Sequence, residues 1–437
     1  MNISAQYKQK CVSPFEAAAQ LMPVRNLILG MNVAMPPLLM EAVATALRND
    51  NLNALDVYYM HGTRALQDTL FSADLRDKVH PHPLFMSAHD RRTYQSLEDP
   101  SWMQFVPVTF HQAGRLLTEH IEPDCFMVTV SSMDRHGYFS LGTNADYGAS
   151  VIRKAKKVIV EVNSHMPRTF GECTVHLCEI DSIVENDIPL PELSPQVSSE
   201  VDLMIASQIA ERIGDGDTLQ MGIGGAPNSV LGLLNDHKNL GLHTELFSTA
   251  MVRLIERGVI NGREKTWMQH KHVFTLAIGD KVMYDFMDDN PSMIGYPASW
   301  VNNPSIIRKN DNMVSVNAAI EVDLSGQINS EQIDGMQFSG TGGQLDFVRG
   351  AYASKNGRSF IALHSTARNG TVSRIVPRLK GSVVTDTRMD THFVVTEYGC
   401  VDLKGLSLPQ RARALIQLAH PQYREQLEQQ ASSLRLI

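Results

Sequence analysis

The sequence lacks a long apolar run, a surplus of basic charge and any paired-cysteine motif. No apolar stretch approaches the ~18 residues needed to cross a bilayer. The longest, such as Lys157–Val162, have the length of strands. The opening residues MNISAQYKQKCVSPFEAAAQL carry no basic segment followed by an apolar one, so no secretory leader is expected and the cytoplasm is the expected location. Lys and Arg number 39 against 47 Asp and Glu, a net charge of −8, which gives no electrostatic footprint for nucleic acid or an anionic membrane. The five cysteines, Cys11, Cys125, Cys173, Cys178 and Cys400, are scattered and form no CxxC pair, so they are expected as reduced thiols. His80-Pro81-His82 and His270-Lys271-His272 have no further ligands at metal-site spacing, and no metal is expected. A GxSxG elbow for a serine nucleophile is also missing.

What is present points to a large α/β protein. At roughly 150 residues per domain, a chain of 437 residues holds two or three domains, and two large ones is the simplest reading. A hydrophobic content of 43% with 20% charged residues is normal for a globular chain with a sizeable core. Strand-like runs alternate with amphipathic, helix-like stretches, which predicts parallel βαβ units. The clearest punctuation is ENDIPLPELSPQ, where Pro189, Pro191 and Pro195 disfavour helix and central strand alike. The junction is therefore placed between about 185 and 200, giving an N-terminal domain of 1–190 and a C-terminal domain of 191–437. A helix is expected from about Ser198, ending at Gly214 as its C′ glycine. NLILGMNVAMPPLL in the first half and DTLQMGIGGAPNSVL in the second both read as strand, glycine-bearing loop, proline and helix, a faint internal repeat. Any βα unit would show the same order.

Three segments can carry chemistry. In Met221-Gly-Ile-Gly-Gly-Ala-Pro-Asn228, Gly222, Gly224 and Gly225 allow a sharp turn and close approach to a ligand, and Pro227 suits the first turn of a helix expected over 228–235. Backbone N–H groups there favour an anion or a developing oxyanion. A dinucleotide fingerprint is the rival reading, although Pro227 stands where its third glycine belongs; a tight turn without a ligand is the other. In Gly241-Leu-His-Thr-Glu-Leu-Phe-Ser248, Glu245 sits in a short apolar segment, as a strand-end carboxylate facing a crevice or as a plain surface or capping glutamate. In Ser339-Gly-Thr-Gly-Gly-Gln344, Gly340, Gly342 and Gly343 precede a helix-like QLDFVRGAYASK. Arg349, Lys355, Arg368 and Arg374 follow, each a phosphate contact or a solvated surface charge.

Taken together, the motifs resemble the acetyl-CoA hydrolase/transferase family of the class I CoA-transferases, and within it the 4-hydroxybutyrate and butyrate CoA-transferases. The resemblance runs nearly end to end: SSMDRHGYFSLG, KKVIVEVNSHMPRTFG, GIGGAPNSVL, LHTELFS, VDLSGQINSE, SGTGGQLDFVRGA, GTVSRIVP, VVTEYGCVDLKG and AHPQYREQL. It implies two similar open α/β domains in tandem, like the fused subunits of a two-chain CoA-transferase, in a homodimer or higher homo-oligomer. It further implies Glu245 as catalytic nucleophile, and Gly222, Ile223, Gly224, Gly225 and Ala226 as the CoA and oxyanion loop. Gly342 and Gly343 face that loop, and Arg368 becomes a CoA contact. Coenzyme A and its acyl thioester are implied as substrates, with no permanently bound cofactor. The chain departs from the family pattern at Ser248-Thr249-Ala250, where Ser-Asp-Gly is common, at His364 in place of Pro, and at Met31-Asn32, where small residues are usual.

The residue types suit the implied chemistry. An ionised glutamate attacking an acyl-CoA carbonyl yields an acyl-glutamyl anhydride and CoA thiolate; the thiolate then attacks the glutamyl carbonyl to give a glutamyl-CoA thioester, and an acceptor carboxylate runs the steps in reverse. Each attack builds negative charge on a carbonyl oxygen, which backbone N–H donors in the glycine loops would stabilise. Hydrolysis of acetyl-CoA or another acyl-CoA through the same glutamate is the alternative within the family. A non-catalytic acyl-CoA sensor and a nicotinamide-dependent dehydrogenase are the readings from other classes.

Overall fold

The computed structural model describes residues 2–193, 197–222 and 224–437, so Pro195 and Ile223 lie outside the described residues. The chain forms two compact units, Met1–Leu193 with Phe274–Trp300, and Ser194–Val273 with Val301–Ile437. The segment Phe274–Trp300 thus groups with the N-terminal part of the chain.

The sheet of the first unit is built from β1 (Asn26–Leu29), β2 (Leu55–Met60), β3 (Val79–Phe85), β4 (Cys125–Val130), β5 (Lys157–Val162) and β6 (Ser182–Glu185), in the order β3-β2-β1-β4-β5-β6. Every pairing is parallel. All six residues of β4 are buried, as expected for a strand covered on both faces. Helix α1 (Pro37–Arg48) lays Leu39, Val43 and Leu47 on Leu27, Leu29, Val57 and Tyr59. Pro36 gives it no side-chain cap. The cap comes instead from the sheet: Glu161 of β5, fully buried, accepts the Leu39 N–H at 3.0 Å and the Asn186 amide at 2.7 Å. Those bonds satisfy a carboxylate whose pKa burial pushes up.

The sheet of the second unit contains β7 (Thr218–Met221), β8 (Gly241–Leu242), β9 (Met313–Ala318), β10 (Arg358–Ala362), β11 (Phe393–Thr396) and β12 (Gly399–Asp402), in the order β8-β7-β9-β10-β11-β12. Its pairings are parallel except for the closing β11–β12 hairpin. Val322, Ile361 and Val394 form its core with Leu415 and Ile416 of α2 (Leu408–Leu418) and Leu427 of α3 (Pro421–Ser433). This is the expected α/β class, with a mostly parallel sheet in each unit.

The faint repeat gains a structural meaning. In each sheet the first strand lies between neighbours reached in opposite directions: β1 between β2 and β4, β7 between β8 and β9. Such a reversal opens a crevice at the carboxyl ends of the strands, where α/β proteins bind ligands. Gly30-Met31-Asn32 leaves β1 at that point, and Gly222 leaves β7 at the equivalent one. Met31 is buried and Asn32 takes a left-handed φ of 45°.

Two helix boundaries differ from expectation. The helix expected to end at Gly214 spans Glu200–Ala210, and Gly214 does not cap it. The Gly214 N–H is taken by the Asp217 carboxylate at 2.7 Å, which draws the chain into the turn before β7. The helix expected over 228–235 spans Gly225–Leu233 instead, beginning within the glycine motif and keeping Pro227 in its first turn, where a missing N–H costs nothing.

Candidate active site

All the groups of the site described here belong to the second unit. Strand β8 runs parallel to β7 at the edge of the sheet, so both chains emerge at the same end. Beyond β8 the backbone is held from both sides: His243 N–H donates inward to Leu219 O of β7 at 3.2 Å and Thr244 N–H to Val273 O at 3.0 Å. Glu245 follows directly. His243 is fully buried, and its Nε2 lies 2.7 Å from the Val301 carbonyl. A carbonyl only accepts, so Nε2 carries the proton. Burial, with Lys265 nearby, holds the imidazole neutral, its pKa pushed down to about 3.

That tether aligns the residue after Val301. Asn302, with no exposed surface, donates from Nδ2 to Glu245 Oε2 at 2.5 Å. The Gly343 N–H is a second donor to the same carboxylate. Glu245 itself is half-buried, with its carboxylate set among protein atoms. Desolvation raises its pKa to about 7, the Asp346 charge adds to the rise, and the Asn302 and Gly343 hydrogen bonds oppose it. The result is a carboxylate that ionises near neutrality, poorly hydrated and held by two donors.

Gly343 must be glycine at this distance, because a Cβ built there would overlap Glu245 Oε2 and Asn302 Nδ2. Gly342 before it takes a left-handed φ of 53°. Gly343 caps the helix Gln344–Ala353, and the turn is braced from behind. Gln344 Nε2 donates to Asp386 Oδ2 at 2.6 Å and to Ser330 Oγ at 2.8 Å. Glu331 Oε1 accepts from Thr341 at 3.1 Å and Thr385 at 2.9 Å. Asp386 is fully buried, and its pKa rises to about 7 through desolvation, although Gln344 opposes the shift.

The other expected loop lies at the end of the neighbouring strand. Gly222 N–H donates to Val316 O at 2.8 Å, which ties the loop to β9, and a Cβ on Gly222 would meet Asn317 Oδ1 at 2.9 Å. Gly224 adopts φ 144° as the N-cap of the following helix. Gly225 packs on the Asp202 carboxylate, which a Cβ would meet at 2.6 Å. Asp202 is in turn bonded by His364 Nε2 at 2.9 Å, so the departure at His364 sits under this loop. Ala226 is buried in the first turn of the helix, and Ile223 lies outside the described residues.

The structure thus brings Glu245 against Gly343, with Gly342 in the turn before it, and sets the Gly222 loop on the strand beside β8. It pairs Arg368 with Asp334 at 2.6 Å, both side chains mostly exposed. Arg349 forks onto Asp390 at 2.9 and 3.1 Å. Ser248-Thr249-Ala250 opens the helix Thr249–Glu256, with Ser248 Oγ buried and unpartnered. Asn302 is the residue that sequence reasoning missed. Its only signal is the Asn302-Asn303-Pro304 turn signature, which says nothing of a carboxylate 57 residues away. Among the described residues no group of three or more His, Cys, Asp or Glu is placed to hold a metal, and no helix is long and apolar enough to cross a membrane.

Comparison with known proteins identifies the family. The acetyl-CoA hydrolase/transferase N-terminal domain matches residues 1–192, and the C-terminal domain of the same family matches residues 279–431. The chain is 41% identical over 433 residues to succinyl-CoA:cyclohexane-1-carboxylate CoA transferase of Geobacter metallireducens, covering 99% of this chain and 97% of that one. It is 40% identical over 423 residues to 4-hydroxybutyrate coenzyme A transferase of Clostridium kluyveri, covering 96% and 97%. The crystal structure of RipA from Yersinia pestis superposes with a TM-score of 0.96 at 45% identity, covering all of both chains. The chain belongs to the acetyl-CoA hydrolase/transferase family, among its CoA-transferases.

Proposed function

We propose that the protein moves CoA between a short-chain acyl-CoA, such as acetyl-CoA or butyryl-CoA, and a carboxylic acid such as 4-hydroxybutyrate or acetate, by ping-pong chemistry on Glu245. The observation that carries this reading is the pair of donors, Asn302 Nδ2 and Gly343 N–H, on one carboxylate of raised pKa. In the first step Glu245 attacks as the anion, and burial makes that anion less solvated and more nucleophilic than a surface carboxylate. In the second, CoA thiolate attacks the glutamyl carbonyl and its oxygen becomes the oxyanion. The carboxylate already has two N–H donors, one of them Asn302 Nδ2 on Oε2, so the charge develops where donors wait. The Gly222, Gly224 and Gly225 loop on the neighbouring strand is the candidate cradle for the other oxyanion, on the acyl carbonyl, and for CoA, with Arg368 a further contact.

The scheme needs no metal and no resident cofactor; coenzyme A enters and leaves as substrate. The five free cysteines support a reducing, cytoplasmic setting, and the family resemblance supports a homo-oligomer. Glu245→Ala is the direct test. Transfer of CoA from butyryl-CoA to acetate should disappear while CoA binding, read by calorimetry, persists. Substantial residual transfer would contradict the reading, and acyl-CoA loss that needs no acceptor in the wild type would redirect it to hydrolysis.

A further inference from the structure

Lys265 is a buried amine that the chemistry above does not use. Only 1% of its surface is exposed, and among the described residues no carboxylate pairs with it. Its Nζ donates to two backbone carbonyls, Leu242 O at 2.8 Å and Lys271 O at 2.7 Å. Room for its stem comes from Gly241, where any Cβ would overlap Lys265 Cγ and Cδ. Burying an ammonium without a counter-ion is costly, and an apolar side chain of similar length would fill the same space at no such cost. What the lysine adds is the bridge between the two carbonyls.

The bridged segments are those that position the nucleophile. Leu242 ends β8 and leads through His243 and Thr244 to Glu245. Lys271 leads to Val273, whose carbonyl receives the Thr244 N–H at 3.0 Å. The Lys265 amine therefore clamps the approach to Glu245 two residues before the Thr244–Val273 bond, and His243 fixes the same stretch to Val301 beside Asn302. We infer that Lys265 is a positioning residue for the nucleophile, its amine joining the Leu242 and Lys271 carbonyls so that Glu245 meets Asn302 and Gly343. A neutral amine has two N–H groups, one for each carbonyl, and burial pushes this lysine's pKa down to about 7, toward that form.

The inference rests on the reading of Glu245 as nucleophile, and the test separates the two. Lys265→Met keeps the stem and removes both donors; Lys265→Gln, one atom shorter, keeps an amide donor that can reach one carbonyl. Each variant is checked for folding by circular dichroism, then assayed for the single-turnover rate of CoA adduct formation on Glu245 and for kcat and KM with butyryl-CoA. Adduct formation and kcat should fall by roughly tenfold to a hundredfold in Lys265→Met, with an intermediate fall in Lys265→Gln and KM unchanged in both. A folded Met variant with the wild-type rate would overturn the inference, as would parallel changes in kcat and KM. Should Lys265→Met not fold, a wild-type rate in Lys265→Gln overturns it equally. Absence of any adduct in the wild-type enzyme would instead count against the nucleophile reading.

Discussion

Asn302 Nδ2 stands 2.5 Å from Glu245 Oε2, and this single bond joins two chain segments 57 residues apart at the proposed nucleophile. It favours the ionised form and opposes the desolvation that raises the Glu245 pKa. Asn302→Ala should therefore push the Glu245 pKa above about 7 and move the acid limb of the kcat/KM profile to higher pH. It also removes a donor from the developing oxyanion, so kcat should fall by roughly a hundredfold even at alkaline pH. A pH–rate profile checks both effects, and an unmoved limb would remove Asn302 from the site.

Wild-type kcat/KM should rise with pH through about 7 as Glu245 ionises. The same raised pKa has a consequence for stability. The folded state holds this proton more tightly than the unfolded chain, so the contribution is fully favourable below the ordinary glutamate value of 4.5 and is lost as pH climbs toward about 7. Asp386 titrates in the same sense, with its folded pKa also raised to about 7. Glu245→Gln, which cannot ionise, should melt a few degrees above wild type at pH 8 and close to it at pH 5. Equal melting points at both pH values would mean that the carboxylate is not desolvated.

Much of this was legible in the sequence, and the reasons are local. The alternation of strand-like and helical runs follows from burial on two faces of a parallel sheet, as in Cys125–Val130. Gly343 was legible as a point of close backbone approach because three glycines fall within four residues; that the approach is to the Glu245 carboxylate, which admits no Cβ there, comes from the fold. Glu245 was singled out by the family resemblance, since its short segment alone reads equally as a surface or capping glutamate. What escaped depends on tertiary contact. Asn302 reads as part of a turn, and only the fold sets it against Glu245. Gly214 reads as a helix C′ glycine, but Asp217 captures its N–H after the helix has already ended at Ala210. Lys265 looks like any surface lysine until Gly241 and the two carbonyls are seen around it.

Gly343→Ala places a methyl group on the Glu245 carboxylate. Either the loop or the glutamate must shift, and a displacement of about 1 Å at a reacting group costs roughly a hundredfold in rate. We expect kcat to fall by that order with the melting temperature changed little, since the strain is local. Kinetics within a few-fold of wild type would contradict the contact.

Gln344→Ala tests the brace behind the turn. It leaves Asp386 Oδ2 without its partner, while Oδ1 is already buried and unbonded. The loss should cost about 1–3 kcal/mol in urea unfolding and should lower kcat as the Gly342–Gly343 turn loosens. Full stability in this variant would show that the brace contributes nothing.

The central claim is that Glu245 becomes covalently bound to CoA. Intact mass spectrometry after incubation with butyryl-CoA, followed by peptide mapping, tests it most directly. The account predicts a CoA-sized adduct on the peptide that carries Glu245, abolished in Glu245→Ala and discharged by acetate with formation of acetyl-CoA. Steady CoA transfer with no adduct on that peptide, or an adduct on another residue, would contradict it.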